Sequence, residues 1–304
     1  MPRSSGRSAP SSPQPFASRD RAIASRSLSY CAEQVRRYDP DRYLPTLLLP
    51  ADAREALFAL YAFDHEIGKV RRVVSQPMAG LIRLQWWRET LDEIALGQPR
   101  RAHHAAEALA RVASGFPLPL DRLHAAIDAR ERELEAEPPP SLDALERHLE
   151  ATSSGITLAA LEILGASSAP ALEVGRQAGL TWGLADTVRS IGADADRGLV
   201  RLPEIAMRHH GVNAGSLARG EAGDGLAGLV REIAGRAQAH LREARSQRGA
   251  VPKPALPALW PAMLAEDYLK RLARAGHDPL GEVRSRPAML APLKLLACRA
   301  LGVF

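Results

Sequence analysis

Two segments of the chain carry acidic and basic side chains at spacings that could hold a metal ion against a diphosphate group. The first spans residues 61–72 and contains Asp64 and Glu66, and the second spans residues 186–198 and contains Asp194. Carboxylates four residues apart lie on one face of a helix, where they can share Mg²⁺ with diphosphate oxygens. Such an arrangement would draw a diphosphate leaving group away from its substrate.

Neither segment contains that carboxylate pair. Asp64 and Glu66 are two residues apart, so on a helix they point in different directions. Asp186 and Asp194 are separated by two helical turns, which is about 12 Å along the axis. The spacing therefore predicts no metal site in either segment.

The residues around these acids resemble the squalene/phytoene synthase family. Tyr61-Ala62-Phe63 matches the start of the family's first acidic motif, and Leu202-Pro203 matches the end of its second. Most of the family's acidic positions are changed in this chain, and Asp194 alone is retained. The degenerate positions are Gly68, Lys69, Arg72, Ser190, Ala193 and the retained Asp194. Because the motifs are degenerate, we expect no catalytic residue.

Further blocks resemble the branch of that family that includes the mitochondrial complex I (NADH:ubiquinone oxidoreductase) assembly factor 6. They include Asp41-Arg42-Tyr43-Leu44, Leu84-Gln85-Trp86-Trp87-Arg88 and Val251-Pro252-Lys253, and the similarity covers about residues 26–300. The resemblance implies a non-catalytic role in respiratory complex I assembly. The implied partner is a complex I membrane-arm subunit or assembly intermediate, or a prenyl or anionic lipid. The alternative is an active head-to-head prenyl diphosphate synthase, and only then would Mg²⁺ be a cofactor.

Several cations near the altered motifs form a candidate ligand-binding set. If they face a cavity, they could bind a lipid phosphate without a metal. The set comprises Lys69, Arg72, Arg189, Arg197 and Arg201. Two simpler interpretations remain open. Lys69 and Arg72 could be ordinary solvated helix charges, and Asp194 could pair with Arg197 at three residues' separation.

Apolar side chains recur at helical spacing along most of the chain, and alanine and leucine dominate them. Helices are predicted at about 102–114, 120–136, 141–165, 170–192, 223–246, 257–275 and 287–301, after three earlier ones. The resemblance implies a single all-α domain, an isoprenoid-synthase-like helical bundle around a central cavity, over residues 26–304. Residues 1–25 are predicted to be a disordered or targeting segment, since the first 19 residues contain six serines, four prolines and no acid.

Composition limits the classes of partner and compartment. The net charge is +5, but the arginines are interleaved with acids, as in Arg130-Glu131-Arg132-Glu133, so we predict solvated helix faces and no nucleic-acid binding. Two cysteines exclude a disulfide framework. No apolar run reaches the length of a membrane span. We expect the bacterial cytoplasm or the cytoplasmic face of the inner membrane, or alternatively the mitochondrial matrix, associated with the inner membrane.

Overall fold

A computed structural model of the chain describes residues 29–98, 102–135, 137–221, 223–281 and 290–304. Within these ranges all regular structure is helical. The α-helices are α1 (Tyr30–Tyr38), α2 (Pro40–Thr46), α3 (Ala51–Gly68), α4 (Val70–Val73), α5 (Pro77–Ala95), α6 (His104–Gly115), α7 (Leu120–Arg132), α8 (Leu142–Leu149), α9 (Gly155–Ile163), α10 (Ala169–Ala195), α11 (Glu204–His209), α12 (Ala214–Ala218), α13 (Asp224–Ser246), α14 (Trp260–Arg274) and α15 (Ala291–Leu301). The prediction made for residues 1–25 falls outside the described ranges.

The all-α prediction is confirmed, and several helix ends lie where the sequence places them. The helix predicted at 223–246 is α13, and Gly97 ends α5 with a φ of 67°, a conformation that suits glycine. Residues 211–225 are rich in glycine and alanine, which predicts a linker, but they also contain the short helix α12. Residues 257–275 begin as a 3₁₀ segment at Lys253–Ala258 before α14 starts at Trp260.

The buried apolar side chains form two clusters. The first surrounds α3, whose whole middle portion is buried, and includes Phe58, Phe63 and Trp260. The second lies between α10 and α13, where Leu184 and Ile233 are fully buried. α10 therefore forms the wall between the second cluster and the rest of the bundle.

A helix predicted as continuous over 141–165 is interrupted by a π-helical turn at Glu150–Ser154. The N–H of Gly155 donates to the carbonyl oxygen of Glu150, five residues earlier, where an α-helix would use the residue four earlier. α8 therefore packs in the second core cluster and α9 in the first.

The same turn lies directly against α10. A Cβ atom on Gly179 would lie 2.4 Å from the Cα of Ser154, and one on Gly183 would lie 2.5 Å from the Oγ of Ser153. Glycine at these two positions is thus what permits the close approach. The contact fixes the position of α10, which carries the second motif.

The two motif segments meet at one end of the bundle. α3 ends at Gly68, and α4 continues from Val70 after a break at Lys69, which brings Arg72 toward α10. The Nε of Arg72 lies 3.9 Å from an oxygen of Asp194. The family resemblance implies that the helices bearing Gly68 and Asp194 face each other across an apolar cavity. They do meet here, but the prediction of an apolar cavity between them is wrong, because the charged side chains of Arg72 and Arg130 lie at this contact.

Candidate functional site

The retained acid of the second motif is held by an arginine from the same segment. Asp194 is 3% exposed near the end of α10, and its carbonyl oxygen accepts the N–H groups of Arg197 and Leu199, both at 2.9 Å. These bonds turn the chain back along α10. The Nε of Arg201 then donates to the Oδ2 of Asp194 at 2.6 Å, and its Nη2 donates to the Oγ of Ser190.

Arg201 also reaches one turn further along α10, to 4.0 Å from the Oδ2 of Asp186. Asp186, Ser190 and Asp194 are spaced four residues apart and so form a stripe on one helix face. Positions 190 and 194 are two at which the resemblance places metal-binding acids. A guanidinium group thus lies along the surface where a divalent cation would be bound.

The residues present do not fit Mg²⁺. Mg²⁺ requires oxygen ligands in near-octahedral geometry, and two of the positions that should supply them are Ser190 and Ala193. The one remaining carboxylate is already paired with Arg201 and approached by Arg72. Across the part of the chain that the structure describes, no group of three or more histidine, cysteine or acidic side chains is arranged to hold a metal.

The two arginines beside Asp194 have shifted pKa values in opposite directions. Burial lowers the pKa of Arg201, but attraction from Asp194, Asp186 and Glu133 outweighs it and leaves the pKa raised. Burial also lowers the pKa of Arg72, and repulsion by Arg201 adds to that effect. Arg201 is therefore the principal partner of Asp194, and Arg72 is the weaker one.

The acids of the first motif segment have separate partners. Asp64 is buried in α3 and accepts a hydrogen bond from Arg42 of α2 at 2.6 Å. Its second oxygen lies 3.6 Å from Arg130 of α7. Arg130 also donates to Glu133 at 2.7 Å, and a ring nitrogen of His148 lies 2.8 Å from the same oxygen. Burial would raise the pKa of Glu133, yet Arg130 and His148 hold it at about 2.

Aromatic rings complete the surroundings of Arg42. Its guanidinium carbon lies 4.0 Å from the ring centre of Trp182 on α10 and 5.0 Å from that of Tyr61 on α3. Such stacking favours arginine over lysine. Asp39 lies 3.4 Å from the same guanidinium. Arg42 therefore ties α2, α3 and α10 together.

The five predicted ligand-binding residues are not one free cationic lining. Lys69 donates to Glu66 at 2.5 Å, and Arg189 donates to Asp41 at 2.5 Å. Arg197 is exposed and donates to the carbonyl oxygen of Ala193 at 2.5 Å. The interpretation that Asp194 pairs with Arg197 is wrong, because Arg201 takes that place. Arg72 and Arg201 are the two members that the structure brings together around Asp194.

The charges at this end of the bundle are nearly balanced. Five arginines pair with six carboxylates in three groups: Arg42 and Arg130 with Asp39, Asp64 and Glu133; Arg72 and Arg201 with Asp186 and Asp194; and Arg189 with Asp41. Paired buried charges avoid the large cost of leaving either sign alone. The arginines and carboxylates therefore pair with one another more readily than with an added ion.

Sequence patterns missed several members of this set. The run from Arg130 to Glu133 was interpreted as a solvated helix face, which is wrong for these two residues, since both are half-buried. Arg42 stands in the Asp41-Arg42-Tyr43-Leu44 block of the resemblance, and that match was the only signal for it. These residues contact each other across different helices, and a single sequence does not reveal such contacts.

A comparison with protein-family models decides the family: the squalene/phytoene synthase model matches residues 35–291. The chain belongs to the squalene/phytoene synthase family. Dehydrosqualene synthase, solved in complex with a ligand, has a similar structure with a TM-score of 0.75 over 90% of this chain and 94% of that one, at 18% identity. Squalene synthase HpnC from Alicyclobacillus acidocaldarius has a TM-score of 0.71 over 82% and 94% of the two chains, at 19% identity. These likenesses identify the isoprenoid synthase fold.

Sequence relatives include proteins of two kinds. NADH dehydrogenase (ubiquinone) complex I, assembly factor 6, of Bos taurus is 32% identical over 266 residues, which cover 88% of this chain and 80% of the relative. Phytoene synthase 3 of Zea mays is 26% identical over 220 residues, covering 70% and 51%. The family therefore includes relatives named as enzymes and relatives named as assembly factors.

Proposed function

We propose that this chain is a non-catalytic member of the squalene/phytoene synthase family that acts in the assembly of respiratory complex I. The observation that carries the proposal is the position of Arg201. Its guanidinium pairs with Asp194, Ser190 and Asp186 along the helix face where a catalytic member would need metal-binding carboxylates. The similarity to complex I assembly factor 6 over most of both chains supplies the role.

The absence of two carboxylates alone would only weaken metal binding. The guanidinium of Arg201 at the same place also repels a metal ion, because unit charges about 4 Å apart interact by about 4 kcal/mol at an intermediate dielectric. We infer that the protein needs no metal cofactor and works by binding. Its partner would be a complex I membrane-arm subunit or an assembly intermediate.

The place of action follows from the same proposal. Within the described residues, no helix combines the length and apolar character needed to cross a bilayer. Complex I is assembled in a membrane, so we propose action at the cytoplasmic face of a bacterial inner membrane, or at the matrix face if the chain is mitochondrial.

The test removes the gene from its host and measures two products side by side. Assembled complex I is quantified on native gels with an NADH-oxidation stain, and squalene and carotenoids are quantified by mass spectrometry. We expect less assembled complex I and unchanged isoprenoids, with recovery from a wild-type copy. Changed isoprenoids with normal complex I would overturn the proposal.

A test on the purified protein addresses the enzyme alternative directly. The chain is incubated with farnesyl or geranylgeranyl diphosphate, Mg²⁺ and NADPH, and products are extracted. We expect no condensed hydrocarbon. Steady turnover that Asp194→Ala abolishes would instead establish a prenyl transferase, since Asp194 is the one retained acid of the motif.

A further inference from the structure

One edge of the molecule combines exposed aliphatic side chains with cations and contains no acid. Between Ile67 and Arg88 the sequence has five basic residues and neither aspartate nor glutamate. In the structure this stretch covers α4, the link after it and the first half of α5. Over most of the rest of the chain basic residues alternate with acids, although a second acid-free stretch follows Glu282.

The exposed apolar side chains cluster where α4 gives way to α5. Val73, Met78 and Ile82 are 54%, 63% and 65% exposed. Gly80 on the opposite face of α5 packs so closely on Leu134 that a Cβ would lie 2.6 Å from its methyl carbon. That contact fixes the rotation of α5, so Met78 and Ile82, one turn apart, must face outward.

Two cations flank these side chains without being used inside the protein. Among the described residues, Arg71 and Arg83 have no ion-pair partner, whereas Lys69, Arg72 and Arg88 pair with Glu66, Asp194 and Asp128. Arg83 is exposed, whereas Arg71 is half-buried, and its Nε is buried without a hydrogen-bond partner. Arginine can keep its stem on an apolar surface while its charged end reaches outward. We define the basic edge as Arg71, Val73, Met78, Ile82 and Arg83.

We propose that the basic edge docks the protein on an anionic lipid bilayer. Aliphatic side chains of this kind fit the boundary between headgroups and acyl chains, and the flanking guanidinium groups fit lipid phosphates. Nucleic acid would meet aliphatic side chains with no stacking or hydrogen-bonding capacity. A second exposed apolar face, formed by Leu293, Leu296 and Leu301 of α15, has one exposed cation, Arg299, and is the rival docking surface.

Docking by this edge would place the motif end of the bundle beside the bilayer, because Arg72 lies between Arg71 and Val73 and reaches Asp194. The attachment would be peripheral and reversible. Few apolar groups and few free cations are involved, so binding should weaken as salt screens the charges.

The test is flotation of the full chain with phosphatidylcholine vesicles that contain or lack phosphatidylglycerol. We expect binding to the anionic vesicles, little binding to the neutral ones, and release by salt. The variant Arg71→Glu/Arg83→Glu should bind at least about tenfold more weakly, since each cation contributes about fivefold near an anionic surface. Circular dichroism and thermal unfolding verify that the variant is folded.

Met78→Ser/Ile82→Ser provides a second variant that leaves the charges and the core intact, and it should also weaken binding. The matched control is Arg231→Glu/Arg242→Glu, which changes the charge equally at two exposed positions of α13. An equal loss in the control would mean general attraction and overturn the proposal.

Two other results would also overturn it. Loss of flotation in Leu293→Ser/Leu296→Ser, with the basic-edge variants unaffected, would assign docking to α15. If the basic-edge variants float like the wild type but no longer bind an acidic protein partner, the edge would be assigned to that partner. The vesicle assay contains no complex I component, so its outcome is distinct from that of the assembly experiment.

Discussion

The two motif segments depart from the acidic pattern of the family in different ways. In the first, the acidic positions became Gly68, Lys69 and Arg72, so the carboxylates are gone and the charge there is partly reversed. In the second, Asp194 remains in place but is paired with Arg201. Replacing an acid and pairing an acid with an arginine both leave no free carboxylate for Mg²⁺. Only the replacement can be recognised from the sequence.

The difference shows why counting acids in a motif is an incomplete measure of function. Asp194 matches its family position, and taken alone it would argue for residual metal binding. Its environment argues the reverse, because a buried carboxylate with an arginine at 2.6 Å is already satisfied. The relevant quantity is the number of carboxylates left without a cation of the protein's own.

The largest expected effect lies in the first segment. Asp64→Asn should lower the free energy of unfolding by about 3 kcal/mol, because it removes the charge that Arg42 and Arg130 share in a buried setting. Urea unfolding measures this. The control Asp128→Asn makes the same change in an exposed pair with Arg88 and should cost less than about 1 kcal/mol.

Equal losses from Asp64→Asn and Asp128→Asn would mean that the Asp64 network contributes no more than a surface pair. The double variant Arg42→Met/Asp64→Asn sharpens the result. We expect it to be less destabilised than the sum of the two single variants, because neither partner is then left as an unpaired buried charge.

In the second segment we expect an intermediate effect. Asp194→Asn should cost about 2 kcal/mol, the range for hydrogen bonds to charged groups, since Arg201 keeps Ser190 and Asp186 as neighbours. Arg201→Met should cost less than Asp194→Asn, because Arg72 can still approach Asp194. Urea unfolding of both variants tests the order. Arg72→Met tests the assignment of partners, because a larger loss from it than from Arg201→Met would make Arg72 the principal partner of Asp194.

The smallest expected effect concerns the pH dependence of stability at Asp39, which lies beside the first segment and contacts Arg42. Burial raises the pKa of Asp39, beside Arg42, from 3.8 to about 7, although Arg42 opposes the rise. A carboxyl with a raised pKa in the folded state binds its proton more tightly when folded. Its charged form therefore destabilises the fold, and stability should fall as pH rises from about 4 to about 7.

The Asp39→Asn variant should remove that dependence while keeping the cap that Asp39 provides to the N–H of Arg42 at 3.1 Å. We expect the variant to gain about 1 kcal/mol over wild type between about pH 5 and about pH 8, since the side chain is partly exposed and Arg42 is close. Thermal unfolding across this range measures it. A constant difference between the two proteins at all pH values would exclude Asp39 as the titrating group.

The sequence predicted the features that depend on local pattern. Helical periodicity gave α13 within one residue, and Gly97 marked the end of α5 because its positive φ suits glycine. The family resemblance predicted that the two motif helices would meet. These are properties of a single helix or of a shared fold, so one chain is enough to reveal them.

The parts that could not be predicted depend on contacts between distant residues. Arg42 and Asp64 are 22 residues apart on different helices, and Arg201 reaches Asp194 only because an irregular turn folds the chain back. Helix rotation decides whether Arg72 faces water or Asp194, and periodicity fixes rotation too coarsely to choose. The π-helical turn could not be predicted for a related reason. Its hydrogen bond joins residues five apart instead of four, and this change requires no particular residue type.

The π-helical turn at Glu150–Ser154 sets how far α9 is rotated about the helix axis relative to α8. An extra residue in one turn rotates everything that follows by about 100° relative to an unbroken α-helix. Deleting one residue within 150–154 would restore α-helical hydrogen bonding, and Ile156 and Ile163 would rotate out of the first core cluster. A one-residue change in a surface loop would leave the core faces in place, but here it would turn every residue of α9 away from its present neighbours.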